Sequence, residues 1–145
     1  MVCLSLLIAG CLPLGPLPGG RLSGTPTPPP PDWASVPDYR TVQLETRPSD
    51  PYSINVWGFG SGPYFYIACR PTSGWLPYIQ ADPNVRLRIH DAVYELRAQR
   101  TESPADFDRY VDAMKARYDW APSDEDRATA WLLRLEPRGS SARDR

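Results

Sequence analysis

The sequence predicts a mainly β domain, a small barrel of six short antiparallel strands with one or two helices. Three observations carry this expectation. Short segments alternate apolar and polar residues with a period of two, "TVQLETR" and "VRLRI" most clearly. Clusters of Gly, Pro, Asp and Ser separate them. One late stretch has helical spacing and legible ends, and a single strand follows it. A last strand in that position can close the barrel and remove its exposed edges.

In "TVQLETR", Val42, Leu44 and Thr46 share one face, with Thr41, Gln43, Glu45 and Arg47 opposite, which is the pattern of a half-buried strand. "PSDPY" is a turn. "SINVWGF" is a second strand, ended by the Gly58–Pro63 run. "YFYIACR" is apolar on both faces and reads as a central, buried strand. After "PTSG", the stretch "WLPYIQADP" is a short helical or irregular crossing. "VRLRI" places Val85, Leu87 and Ile89 inside and Arg86 and Arg88 outside. His90-Asp91 makes a tight turn, and "AVYELRAQR" returns with Tyr94, Leu96 and Ala98 on one face. Ser103 then caps a helix that has Pro104 at its first position and Asp106 at its positive end. Phe107, Tyr110, Val111, Met114 and Tyr118 form its buried stripe, and Pro122 stops it. Ser123 to Asp126 starts a further helical turn, and "WLLRLEP" is the final strand.

The 145 residues are enough for one domain, predicted over 38–137, with a polar tail over 138–145. A formal net charge of −1 gives no field that would gather nucleic acid. Nine of the 18 prolines fall within 12–37, which predicts an extended, polyproline-like tether.

The apolar run "LSLLIAGC" is too short to cross a bilayer, which takes about 20 apolar residues. Ile8-Ala9-Gly10-Cys11 resembles a bacterial lipobox. That resemblance implies a signal over 1–11, lipidation of Cys11, and a membrane-attached, periplasm-facing place in the bacterial cell envelope. The positive residue that usually opens such a signal is missing from Met1-Val2-Cys3. With Cys3 removed and Cys11 acylated, Cys69 alone remains, and no internal disulfide can form.

Chemistry that needs a fixed motif finds none. There is no P-loop, dinucleotide fingerprint or nucleophile elbow. The single histidine, His90, and one usable thiol fall short of a zinc ligand set, so no metal is expected. Asp91 beside His90 does not make a catalytic pair, because neighbouring strand residues face opposite ways. Asp124, Glu125 and Asp126 read as helix-start carboxylates.

From Thr41 to Pro137 the chain resembles the flavin- or deazaflavin-binding split β-barrel family, the pyridoxamine-phosphate-oxidase-like group. The stretch "GWLPYIQADPNVRLRIHDAVYELRAQ" carries most of the likeness, through Trp75, Asp82, Pro83, Val85 and Tyr94, and "WLLRLEP" adds the closing strand. The resemblance implies a six-stranded split β-barrel, a possible homodimer, and FMN or a deazaflavin in a groove at the dimer interface. It implies a phosphate held by Arg70, Thr72 and Ser73, and a ring system flanked by Asn55 and Trp57, with Trp75 and Tyr78 as further groove aromatics. The deazaflavin branch has a Gly-Arg-x-Ser-Gly turn after its first strand. Here Arg47 and Ser49 keep two of those positions, and both glycines are replaced.

Each of these residues also has an ordinary reading. Arg70, Thr72 and Ser73 make either an anion site or a polar loop. "RPSDP" around Arg47 and Ser49 is also a common turn. The aromatics can fill a core or a subunit contact. Cys69 is either a thiol activated by Arg70 or a packed, inert one. Two function classes follow. The favoured one is a lipid-anchored, non-catalytic module that binds a small ligand or a partner. The alternative is a flavin- or deazaflavin-dependent oxidoreductase.

Overall fold

The computed structural model describes residues 12–139, so the signal segment and Cys11 lie outside the described residues. Its strands are β1 (Thr25–Pro26), β2 (Val42–Thr46), β3 (Tyr52–Val56), β4 (Phe59–Ser61), β5 (Tyr64–Cys69), β6 (Asn84–Ile89), β7 (Ala92–Thr101) and β8 (Trp131–Pro137). Helix α1 (Leu76–Ala81) lies between β5 and β6, and α2 (Pro104–Tyr118) and α3 (Asp124–Thr129) between β7 and β8.

The sheet runs β3-β2-β6-β7-β8-β5-β4, and every ladder along that path is antiparallel. Its two ends, β3 and β4, are separated in sequence only by Trp57 and Gly58. One bent strand therefore serves both edges, and the sheet curls into a six-stave split barrel. The bend explains why "SINVWGF" looked like a single strand. Gly58 is required there: a Cβ would lie 2.5 Å from the Phe65 ring and 2.8 Å from the Tyr66 carbonyl.

Val42, Leu44, Val85, Leu87, Ile89 and Leu96 point inward as expected, and alternate residues of β5 and β8 join them. Val42, Leu44, Phe65, Ile67, Val85, Leu87, Ile89, Leu96, Leu133 and Leu135 fill the barrel. The outer side of β4, β5 and β8 is covered by α2, whose Tyr110, Val111, Met114 and Tyr118 pack on Phe59, Tyr66 and Leu132. That second layer is why β5 is apolar on both faces. The α2 cap is as read: Ser103 accepts from the Asp106 amide, with Pro104 in the first turn. The helix ends at Asp119, which takes a left-handed φ of +50°, so it stops before Pro122 acts.

The proline-rich segment is extended between a reverse turn at Leu14–Leu17 and a 3-10 turn at Trp33–Ser35, but it does not hang free. It crosses the outer face of β2 and β6 as a strap. Gly19 exchanges backbone hydrogen bonds with Ser53 at 2.8 and 2.9 Å, and β1 pairs in parallel with the start of β7. Between them Leu22 is buried. Its amide donates to the Glu45 carboxylate at 2.7 Å, and its carbonyl accepts from Arg86 at 3.1 Å. Arg86 also pairs with Glu45 at 2.9 Å. Glu45 was expected on a solvent face and is buried because the strap covers it. Farther along, Trp33 enters the barrel end against Phe65 and Tyr94 and donates its indole N–H to the Pro63 carbonyl. A side chain at Gly60 would collide with Trp33. Backbone that lacks amides cannot build a ladder, but it can lie along one. At the other end, Arg138, expected in a frayed tail, donates to the Leu96 and Val85 carbonyls.

Candidate functional site

The bend that closes the barrel also builds a groove beside it. Tyr118, at the end of α2, reaches the Gly58 backbone. Its hydroxyl accepts from the Gly58 amide at 3.1 Å and lies 2.8 Å from the Gly58 carbonyl and 2.7 Å from the Arg40 carbonyl. Trp57 stacks flat on the Tyr118 ring. The left-handed turn at Asp119 then brings Trp120 against Trp57, with ring centroids 6.4 Å apart. On the opposite side, "RPTSGW" leaves β5 in a tight turn closed by the Ser73 amide donating to the Arg70 carbonyl at 3.0 Å. That turn delivers Arg70, Ser73 and Trp75.

The result is a groove of about 390 Å³, open to solvent. Trp57, Trp75 and Trp120 wall it, Cys69, Tyr110 and Met114 form its floor, and Arg70, Ser73 and Asp126 stand on it as polar groups. Among the described residues, no carboxylate lies within ion-pairing distance of Arg70. Its guanidinium is exposed and free to pair with an incoming acid.

Burial keeps the thiol and the phenol of this groove protonated at neutral pH. Burial pushes the Cys69 thiol up to about 11, against a smaller lowering by Arg100. Arg70, the neighbour expected to activate it, is not the cation that acts on it. Burial also raises the Tyr110 phenol to about 12, with the Asp126 carboxylate adding to the rise. Asp126 is lowered, first by hydrogen bonds from the Ser123 hydroxyl and amide and then by the nearby Arg70 cation. It is engaged in the capping box of α3, the helix-start role expected of it. None of these groups is poised to exchange a proton near pH 7.

Of the eight residues expected around a cofactor, Trp57, Arg70, Ser73 and Trp75 converge on the groove. Thr72 is exposed in the same turn but does not line it. Arg47 and Ser49 are elsewhere. Arg47 takes a left-handed φ of +57°, donates to the Asp50 carbonyl and pairs with its carboxylate at 3.2 Å. Its guanidinium lies over the Tyr78 ring, which packs on Tyr52, so Tyr78 is not a groove aromatic either. Ser49 is exposed in that turn. Asn55 spends its amide on the Pro13 and Gly15 carbonyls, holding the start of the strap. His90 takes φ +54° in its turn and contacts the Asp38 carbonyl, while Asp91 accepts from Thr25 at 2.6 Å.

Trp120 was missed in the sequence. It lies past the helix end, where periodicity gives no direction, and only the conformation of Asp119 decides where it goes. The groove presents aromatic walls, one cation and one hydroxyl. It does not offer Arg47 and Ser49, which sit in their own turn.

No protein-family model and no curated protein sequence matches the chain. Solved structures do. A candidate pyridoxamine 5′-phosphate oxidase of Listeria innocua superposes with a TM-score of 0.57 at 15% identity, over 69% of this chain and 85% of that one. General Stress Protein 26 of Bacillus anthracis gives 0.53 at 24% identity, over 69% and 81%. An FAD-binding protein of Mesorhizobium loti gives 0.52 at 15% identity, over 69% and 80%. Likeness at these identities establishes the split β-barrel fold.

Proposed function

We propose that this chain is a non-catalytic binding module for a small planar aromatic ligand that carries an acidic group. One observation carries the reading: a three-tryptophan groove bearing an arginine that no carboxylate among the described residues pairs with. Indole faces bind flat rings, and Arg70 can pair with a carboxylate, sulfonate or phosphate. A volume of about 390 Å³ falls in the lower part of the range of ligand pockets.

A second reading, a flavin- or deazaflavin-dependent oxidoreductase, is favoured by the likeness to an FAD-binding split barrel. There the flavin would supply the electron chemistry, and this chain would contribute Trp57 and Trp75 beside the ring and Arg70 and Ser73 toward the phosphate. Attachment to a bacterial envelope through Cys11, and pairing of two chains as a homodimer, remain part of the proposal and rest on the sequence resemblances.

The test is a titration of the purified chain with FMN and with anilinonaphthalene sulfonate, a ring with a sulfonate, read by tryptophan emission. Anaerobic NADH and NADPH are then added to the FMN complex. Binding without reduction of FMN supports the module. Multiple-turnover reduction would replace it with the oxidoreductase. Failure to bind either compound would overturn both readings.

A further inference from the structure

Four large apolar side chains are exposed among the described residues: Leu14 at 73%, Leu17 at 65%, Trp57 at 44% and Trp120 at 37%. They are not scattered. Leu14 and Leu17 sit on a reverse turn that exchanges two backbone hydrogen bonds, at 3.1 and 2.9 Å. Gly15, inside that turn, is held by the Asn55 amide at 3.0 Å and lines one depression together with Val56 and Trp57. Trp57 in turn meets Trp120. Leu14 and Leu17 thus flank a depression, lined also by Thr41 and Asn55, that leads to Trp57 and the mouth of the groove. Single exposed apolar residues are ordinary, but four large ones gathered around linked depressions mark a contact surface.

We propose that this face rests on a phospholipid bilayer. The chain itself argues for that occupant. Residues 1–20 contain no charged side chain, and Arg21 is the first. The apolar run Leu4-Ser5-Leu6-Leu7-Ile8-Ala9-Gly10 precedes this turn in the sequence, and Asn55 also holds the Pro13 carbonyl at 3.3 Å. A bilayer surface accommodates the face and the run together. A soluble partner would cover one and leave the other. Tryptophan suits the headgroup zone, where its ring is buried and its N–H stays wet. Because the strap is tied down from Pro13 onward, the barrel would lie directly on the membrane and not at the end of a spacer. The groove, which shares Trp57 and Trp120 with the face, would then open beside the lipid.

This inference goes beyond the ligand reading and requires neither a bound ligand nor acylation. The test uses the full chain with Cys11→Ser, which removes the possible lipid, and phosphatidylcholine vesicles with and without brominated acyl chains. Brominated vesicles are expected to quench tryptophan emission. The pair Leu14→Ser with Leu17→Ser is expected to weaken partitioning by about a hundredfold or more, since both apolar side chains leave the lipid. Both leucines are exposed, so the far-ultraviolet circular dichroism should not change. Unquenched emission would overturn the proposal. So would quenching that ignores the leucine pair, which would mean residues 1–11 alone hold the lipid. A dimer that dissolves when the two leucines are changed would overturn it in favour of a second copy. Retained ligand binding in the leucine variant would keep the two readings separate.

Discussion

The indole of Trp57 lies flat on the phenol ring of Tyr118, with centroids 4.5 Å apart and planes 10° apart. This contact joins the barrel's bend to the end of α2, and the Tyr118 hydroxyl fastens it through the Gly58 backbone. The barrel's closure and its groove therefore depend on the same side chain.

Tyr118→Phe keeps the stacking and removes the hydroxyl. It strands the buried Gly58 amide, so unfolding by urea should show a loss of about 1–3 kcal/mol with an unchanged m-value. The groove should also loosen, and ligand affinity should fall more than the affinity of an equally destabilised variant made on the far side of the barrel. Unchanged stability would mean the hydroxyl does not hold the bend.

Asp126→Asn removes the negative charge that shares the groove with Arg70 and keeps an oxygen to accept from the Ser123 amide and hydroxyl. Affinity for an anionic ring should rise by about threefold at low salt and less at high salt, because exposed charges are screened. Titrations at two ionic strengths check the sign. A fall in affinity would place the acid of the ligand away from Arg70.

Leu22→Ala tests whether the proline-rich segment belongs to the fold. Leu22 is 1% exposed beneath the strap. Its truncation should cost about 2–5 kcal/mol, as for other buried leucines. A free tether would give no measurable change in thermal or urea unfolding.

Much of the barrel was legible because its strands obey their period: Val85, Leu87 and Ile89 alternate with Arg86 and Arg88, and each points where the pattern says. The helix stripe and its Ser103 cap are equally local signals. The strap was not legible, since a run of prolines reads as unable to form structure. Only the Glu45 and Arg86 charges waiting on the sheet, and the Trp33 pocket, show what it docks on. Half of the expected cofactor residues reached the groove, because a turn such as Arg70–Ser73 is anchored by the strand before it. Arg47 and Asn55 went elsewhere because each found a nearer partner, in Asp50 and in the Pro13 and Gly15 carbonyls.

Alkaline pH should weaken the fold. Cys69 has its ordinary value near 9.0 when unfolded and about 11 when folded. The folded state therefore holds its proton more tightly, so this contribution is complete below pH 9 and is lost as pH rises toward 11. Tyr110, at about 12, acts in the same direction at still higher pH. Melting temperatures from pH 7.5 to 11 should fall, and Cys69→Ala should remove part of the fall between pH 9 and 11. The buried thiol should also react slowly with a disulfide reagent at pH 8. Rapid reaction in the folded chain would contradict the burial.

The most direct test of the binding groove is the tryptophan-emission titration with FMN and anilinonaphthalene sulfonate, run on the parent chain and on Arg70→Ala. Arg70 is exposed and its side chain makes no hydrogen bond or ion pair among the described residues, so its replacement should leave stability within about 0.5 kcal/mol. The account predicts saturable binding of at least one compound by the parent and a loss of about tenfold or more in Arg70→Ala, the scale of a charge-assisted hydrogen bond. Equal binding by both proteins, or none by the parent, would contradict it.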